Sequence, residues 1–344
     1  MAAPSELILS VGTVPPTPGT GESTLYFEAT STPGVRAVDS TGTQYTLGVT
    51  PQGPSTNGFR LTGVSATPIM TADSTSLSTL YLTPYLGNQI SLYNGATWDT
   101  LVSAEISLAV TGRTTDLPFD IFAYNSAGVV TLEFLDWSNS TTRATALVRQ
   151  DGIWSKTGSL TRRYVGTCRP RSATTFHWVR AGVDLPCKFD LFNMDNRVRQ
   201  SFSLTATTNS WNYTTATWRQ AQGSTNYQID VVAGLEEEVF KSDLRVTSSN
   251  STISIARYVG IGLDSTTALY LGTLYNKGGT ANATTTNTVA NQSGAQLAGL
   301  FNTPTIGRHY YSWLEYSVAS GTCTWLGDNG STNVQSGMTG SWSC

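Results

Sequence analysis

From Phe59 to about Thr167 the chain never runs far without a turn. Short stretches of Thr and large apolar residues, among them GFRLTGVSA, TLYLTPYL, QISLYN, FDIFAYN and VVTLEFLDW, are separated by Asn94-Gly95, Gly112, Asn125, Gly128 and Asp151-Gly152. Gly and Asn accept the backbone conformations that tight turns require, so each signal closes a segment too short for a typical helix. Within the segments the pattern alternates: Ile90 and Leu92 flank Ser91, while Phe119, Ile121 and Ala123 interleave with Asp120 and Phe122. Period two with turns about 8 to 12 residues apart is the signature of a sandwich or barrel. The predicted fold class is therefore all-β. One short helix is expected, in LDWSNSTTRATALV, with Ser138 or Asn139 as its cap.

Composition supports this reading. Thr is the most frequent residue, and only 12% of residues are charged, against roughly 25% in globular proteins. Solubility must come from hydroxyls and amides. With 39% hydrophobic residues and nine Trp, the chain is too apolar for disorder. A net charge of −3 and only four Lys argue against a nucleic-acid partner, because phosphate binding needs clustered cations. The densest basic run, Arg162, Arg163, Arg169 and Arg171, flanks the strand-like RYVGTC and reads as its solvated ends. No run approaches the ~20 apolar residues of a membrane helix, so no membrane insertion is expected. The segment MAAPSELILSVGTVPP lacks a basic region before its short apolar run, and a signal peptide is not expected.

Three regions follow. Residues 1–60 are punctuated by Pro and Gly and leave room only for SELILSV, STLYFEAT, VRAVDS and TQYTLGV, which cannot bury a core alone. They read as an extended attachment or oligomerisation region, with a disordered leader as the alternative. Residues 61–168 and 169–344 are expected to form two β-sandwich domains of jelly-roll type. Arg163-Tyr164-Val165-Gly166 recurs as Arg257-Tyr258-Val259-Gly260, an echo too short to demonstrate duplication. Between Tyr275 and Leu300 the chain is polar, which suggests a long surface connection.

No arrangement of residues announces catalysis. A hydrolytic triad needs a base, and His177 and His309 both lie in aromatic strand-like segments without a Gly-x-Ser-x-Gly elbow. Carboxylates for glycan cleavage would have to come from Asp184, Asp190 and Asp195 or from Glu236, Glu237 and Glu238, the latter reading as a solvated turn. Asp195-Asn196 and Asp328-Asn329-Gly330-Ser331 lack the spacing of a calcium loop and read as plain turns. Cys168, Cys187, Cys323 and Cys344 have no metal-site spacing. Free thiols are the default, with Cys168–Cys187 and Cys323–Cys344 as conceivable disulfides. No catalytic, metal or cofactor-binding residue is expected, and no cofactor is implied.

Several islands resemble bacteriophage tail-fibre and virion appendage proteins. The first comprises Tyr85, Gly87, Ile90, Leu92, Tyr93, Gly95 and Trp98, followed by Asn139, Thr141 and Arg143 to Leu147, then Arg162 to Thr167. A second is Trp211 to Ala221; a third runs through Tyr310, Trp313 to Ser317, Ala319 to Thr322, Trp325, Gly327, Asp328, Gly330, Gln335 to Gly337, Thr339 and Gly340. Leu25, Tyr26, Phe27, Val38, Asp39, Ser40, Gly42 and Leu47 resemble the N-terminal attachment regions of phage fibres. The resemblance implies a virion structural protein assembled in the host cytoplasm, most simply a tail fibre that attaches to the host without enzymatic activity. It further implies contact with other virion proteins through the N-terminal region, a homotrimer, and a host surface glycan as receptor. A head fibre or capsid decoration protein is the alternative, and a bacterial carbohydrate-binding domain or carbohydrate-active enzyme comes third. Which Trp and Tyr are exposed, and so available to stack on sugars, is not legible at this level.

Overall fold

A computed structural model of the protein describes residues 9–11, 16–28, 34–47, 54–270, 282–286, 288–331 and 333–344. The fold is all-β, with a single 3-10 turn at Ala221–Gly223 as the one helical element among the described residues. The chain divides into two compact units, Met1–Thr56 and Asn57–Cys344.

In the first unit the strands Leu9–Val11, Ser23–Glu28, Gly34–Asp39 and Gln44–Leu47 form one sheet in chain order. Asp39 sets the turn expected between the last two. Its Oδ1 accepts from the backbone N–H of Thr41 at 2.9 Å and of Thr43 at 3.0 Å, while Gly42 takes a φ of 82°. Tyr26 is buried and donates its hydroxyl proton to Gln44 Oε1. The remaining parts of the segments expected over 5–11 and 43–49 lie outside the described residues.

The second unit is built around two large sheets. The eight-stranded sheet runs Asn282–Thr285, Arg257–Leu263, Gly307–Ser317, Gln228–Ala233, Cys187–Phe189, Phe176–Val179 and Ser74–Leu77, with Arg219–Gln220 also paired to Gly307–Ser317. The seven-stranded sheet centres on Phe240–Asn250, whose side chains alternate between buried and more exposed positions along its length. Aromatic rings join the two. Phe240 stacks on Tyr311 with centroids 3.6 Å apart, Trp211 meets Trp313 at 5.8 Å, and Phe189 meets Phe202 at 6.0 Å. A third, six-stranded sheet contains Val129–Asp136, Phe119–Ser126, Ser159–Cys168, Ile153–Lys156 and Leu147–Gln150, with Leu191–Asn193 paired to Ser159–Cys168.

The boundary expected at 168/169 does not divide these sheets. Ser74–Leu77 pairs with Phe176–Val179, and Gly166 pairs with Asn193. Backbone groups on both sides of the boundary find their partners across it, and one hydrophobic core serves residues 57–344. Close approach is part of the same junction: a Cβ on Gly166 would lie 2.2 Å from the Phe192 carbonyl oxygen. The polar stretch between Tyr275 and Leu300 also holds more structure than expected, since Asn282–Thr285 and part of Gly294–Asn302 are strands. There Gln296, Ala298 and Leu300 turn inward and alternate with Ala295, Leu297, Gly299 and Phe301, of which Leu297 and Phe301 are exposed.

No helix forms at LDWSNSTTRATALV. Asn139 instead folds the chain back, with Oδ1 accepting from the Thr141 N–H at 2.9 Å and a bridge to Thr142. Side-chain capping that could open a helix here closes a turn. Arg143, delivered by that turn, reaches the buried Asp120 at 2.7 Å and also donates to the Gly234 carbonyl and the Tyr164 hydroxyl. Thr167 donates to the other Asp120 oxygen at 2.7 Å.

The basic run is corrected as well. Arg163 and Arg169 are buried and Arg171 nearly so, each guanidinium meeting at least one carboxylate from elsewhere in the chain. Arg163 donates to the Ser91 carbonyl and to Asp195, Arg169 to Asp116, and Arg171 to Asp190 and Asp230. Arg162 alone sits at the surface end, over the Tyr124 ring and beside Glu133.

Removing one member of a buried pair strands the other. Arg143→Met is expected to destabilise the second unit by about 3–5 kcal/mol, measured by denaturant unfolding. The double variant D120N/R143M should recover part of that loss.

Candidate functional site

The residues that sequence reasoning tested for chemistry are dispersed and engaged. His177 is half-buried, its Nδ1 accepting from Lys188 Nζ at 3.2 Å; burial and the Lys188 charge hold its pKa below the ordinary value. His309 is buried, with Nδ1 2.8 Å from Asp264 Oδ2 and Nε2 3.0 Å from the Thr305 carbonyl oxygen. The Thr305 carbonyl and the Asp264 carboxylate both only accept, so each ring nitrogen faces an acceptor, and the Thr305 hydroxyl stands 3.4 Å from Nε2. The arrangement resembles a triad in outline, with a backbone carbonyl at the nitrogen that a catalytic base would use.

The carboxylates are equally committed. Arg171 bridges Asp190 and Asp230, and Arg308 makes a second pair with Asp230 at 2.7 Å. Burial alone would raise the Asp230 pKa, but Arg171, Arg308 and Arg169 hold it below the ordinary value. A carboxyl kept ionised in this way cannot serve as a general acid. Asp195 pairs with Arg163, and Asp184 accepts from Thr207 and Tyr227. Glu237 and Glu238 pair with Arg197 at the turn where a solvated edge is expected, and Glu236 is exposed. Asp328 closes its own turn by accepting from the Gly330 N–H, and Asn196 bonds the Asn57 and Phe59 carbonyls. Among the described residues no group of three His, Cys, Asp or Glu side chains could hold a metal ion. Cys168, Cys187, Cys323 and Cys344 are all free and buried, and burial pushes the thiols of Cys187, Cys323 and Cys344 up to about 12.

One surface differs from these. Arg219↔Glu315 and Tyr258↔Tyr316 are register partners across three adjacent strands of the eight-stranded sheet. Glu315 points inward, where its carboxylate accepts from the Trp211 indole N–H at 2.7 Å and from Arg219 at 2.8 Å. Strand alternation turns Tyr316 the opposite way. Trp218, Tyr258 and Tyr316 thus cluster on the outward side, with centroids 5.4 Å (Trp218 to Tyr316), 5.5 Å (Tyr258 to Tyr316) and 6.4 Å (Trp218 to Tyr258) apart. Leu269 and Val318 complete the lining of a cavity of about 360 Å³. Gly262 allows Leu269 to be there: its missing Cβ would lie 2.5 Å from the Ser265 carbonyl oxygen and 2.9 Å from that of Ala268, so only glycine lets the loop cross so closely.

The polar tips around this cavity are free. Of the nine Trp, five are buried, Trp98 and Trp211 donate their N–H groups to Asp151 and Glu315, and the Trp154 nitrogen is enclosed. Trp218 Nε1 and the hydroxyls of Tyr258 and Tyr316 have no hydrogen-bond partner among the described residues and are not enclosed. A second cavity of about 370 Å³ is lined by Thr141, Thr142, Arg143, Trp154, Leu235 and Ile306 among others. Its guanidinium is already bound to Asp120, which leaves it little to offer a ligand.

Sequence reasoning reached the segments but not the site. Trp218 lies within the Trp211–Ala221 island and Tyr316 within Trp313–Ser317, and the fold brings these islands onto neighbouring strands. Tyr258 stands in the echo of Arg163-Tyr164-Val165-Gly166, where Tyr164 is buried and Tyr258 half-exposed. Only strand pairing distinguishes the two tyrosines.

No protein-family model matches the chain, and no curated protein matches it. Among solved structures it is similar to the Bacillus thuringiensis insecticidal delta-endotoxin Cry8Ea1, at 8% identity and a TM-score of 0.21, over 82% of this chain and 51% of the toxin. A second B. thuringiensis insecticidal crystal protein, Cry7Ca1, aligns at 10% identity and a TM-score of 0.16 over 83% of this chain and 50% of that one. The chain thus spans about half the length of each toxin. An exo-beta-1,3-galactanase from Phanerochaete chrysosporium, solved with galactose, aligns at 10% identity and a TM-score of 0.15 over 94% of this chain and 81% of the galactanase. At such scores none of these overlaps informs on activity.

Glu315 gives this region a pH signature. Burial outweighs the Arg219 charge and the Trp211 bond and pushes its carboxyl from 4.5 up to about 7. A raised folded-state value means that Glu315 contributes stability below its unfolded pKa and loses it as the pH rises through about 7. Glu315→Gln should therefore flatten the fall in stability between about pH 4.5 and 7, as read by thermal melts across that range.

Proposed function

We propose that the protein is a structural component of a bacteriophage particle, a tail fibre or similar appendage, that attaches to the host surface by binding rather than by catalysis. The observation that carries the binding part is the contrast within the second unit. Its histidines and, Glu236 apart, the carboxylates named above are engaged in ion pairs and hydrogen bonds, whereas an aromatic cavity with no charged side chain among its described lining residues keeps its polar tips open. Aromatic faces with free hydroxyls suit adhesion to glycans, and several copies on one particle would multiply a weak single-site affinity. The virion assignment draws on the resembling islands, with residues 1–60 contacting other virion proteins and forming a homotrimer. Head fibre or capsid decoration remains the second reading, for which the same unit would project from the shell.

Antibody labelling of purified particles should decorate the tail, and the purified protein should block phage adsorption to host cells. Labelling on the head would favour the second reading; no labelling of particles, or release of reducing sugar from host envelope, would contradict the proposal. Light scattering should give a trimer for the full chain and a smaller species for a variant lacking residues 1–60. A monomer in both would overturn the trimer.

A further inference from the structure

We infer that the Trp218–Tyr258–Tyr316 cavity is a binding subsite for an uncharged pyranose, one sugar unit of a neutral glycan. The inference rests on the adhesion reading above and specifies its ligand. Charge selects the class. Among the described residues no Asp, Glu, Lys, Arg or His lines the cavity, and the adjacent carboxylate, Glu315, is on the inward side of its strand, fully buried and bound by Arg219 and Trp211. A uronic or sialic acid would bring a carboxylate with no cation among the described lining residues to meet it, at the desolvation cost of an unpaired charge.

Ring geometry argues against the other ligand of aromatic clusters, a quaternary ammonium ion. A cation is held when several ring faces surround it, each centroid within about 6 Å. Here the rings touch one another, with Trp218 to Tyr258 at 64° and Tyr258 to Tyr316 at 82° between planes. Each edge fills the space over a neighbour's face, so the cluster forms a tilted floor and not an enclosure. A pyranose ring presents a face of C–H groups that lies on such a floor and a rim of hydroxyls that need partners. The Trp218 N–H and the Tyr258 and Tyr316 hydroxyls, on rings that line the cavity and without partners among the described residues, offer that rim one donor and two groups that both donate and accept. About 360 Å³ is at the small end of ligand sites, which bury about 300–1,000 Å³. That size suits one sugar unit with its neighbours outside.

The test uses the full chain and a panel of probes: neutral methyl pyranosides of glucose, galactose, mannose and N-acetylglucosamine with their disaccharides, the corresponding uronic acids, and tetramethylammonium. Binding is read by ligand-observed NMR and tryptophan fluorescence. At least one neutral sugar should bind, Trp218→Ala and Tyr316→Ala should weaken it about tenfold or more, and Trp218→Phe, which keeps a ring, should weaken it less. Tyr258→Phe, losing only a hydroxyl, guards against loss of fold, and melting curves of every variant should match the parent. Binding of acids or tetramethylammonium alone, no binding at all, or neutral-sugar binding indifferent to these substitutions would overturn the inference. Adsorption competition in parallel separates the two claims. A protein that blocks adsorption but binds no panel sugar sinks the subsite and leaves adhesion standing, whereas sugar binding without attachment to cells sinks adhesion and leaves the subsite.

Discussion

Arg171, lying between Asp190 and Asp230, is the contact on which the arrangement of the second unit turns. Its guanidinium donates to Asp190 on the strand-to-strand step after Phe189 and to Asp230 in the middle of the eight-stranded sheet, and Arg308 comes to Asp230 from the neighbouring strand. Arg143 with Asp120, Arg163 with Asp195 and Arg219 with Glu315 repeat the device elsewhere. Such pairs add little net stability over apolar packing, yet breaking one leaves a buried charge without its partner. They tie together segments that lie far apart in the sequence. The aromatic contacts between Phe240 and Tyr311 and between Trp211 and Trp313 then fill the space between sheets already in register.

This use of charge shapes what the surface can do. A chain with few ionisable residues that draws many of them inward has few left to recognise charged partners or to move protons. The aromatic cavity stands apart from this: Arg219 and Glu315 pair beneath it, and its lining among the described residues is neutral. Charged scaffold and aromatic cavity are thus separated by the two faces of one strand, Glu315 below and Tyr316 above.

Much of the fold was legible in the sequence, for physical reasons that differ by element. Asn94, Asp39 and Gly42 encode their turns locally, through side-chain acceptors and permissive backbone, and the structure places turns there. The segment around Ile90 and Leu92 is the strand Gln89–Tyr93, although Ser91 between them is buried too, so both faces of the strand are covered. Arg163, Arg169 and Arg171 misled because a charged residue beside an apolar run is ordinarily solvated, and nothing local shows that Asp195, Asp116 and Asp190 will arrive from distant segments. The same limit hid the 168/169 junction, which is bridged by pairings of Leu77 with Phe176 and of Gly166 with Asn193. Trp218, Tyr258 and Tyr316 lie far apart in the chain, and only the register of three strands unites them.

The central claim is that attachment is made by a neutral surface while charge is held inside, and the salt dependence of binding tests it most directly. Binding of the purified protein to host cells, measured from about 50 mM to 500 mM NaCl, should change little, because screening acts on exposed charges. A steep loss of binding across that range would show that charged groups make the contact and would contradict the account.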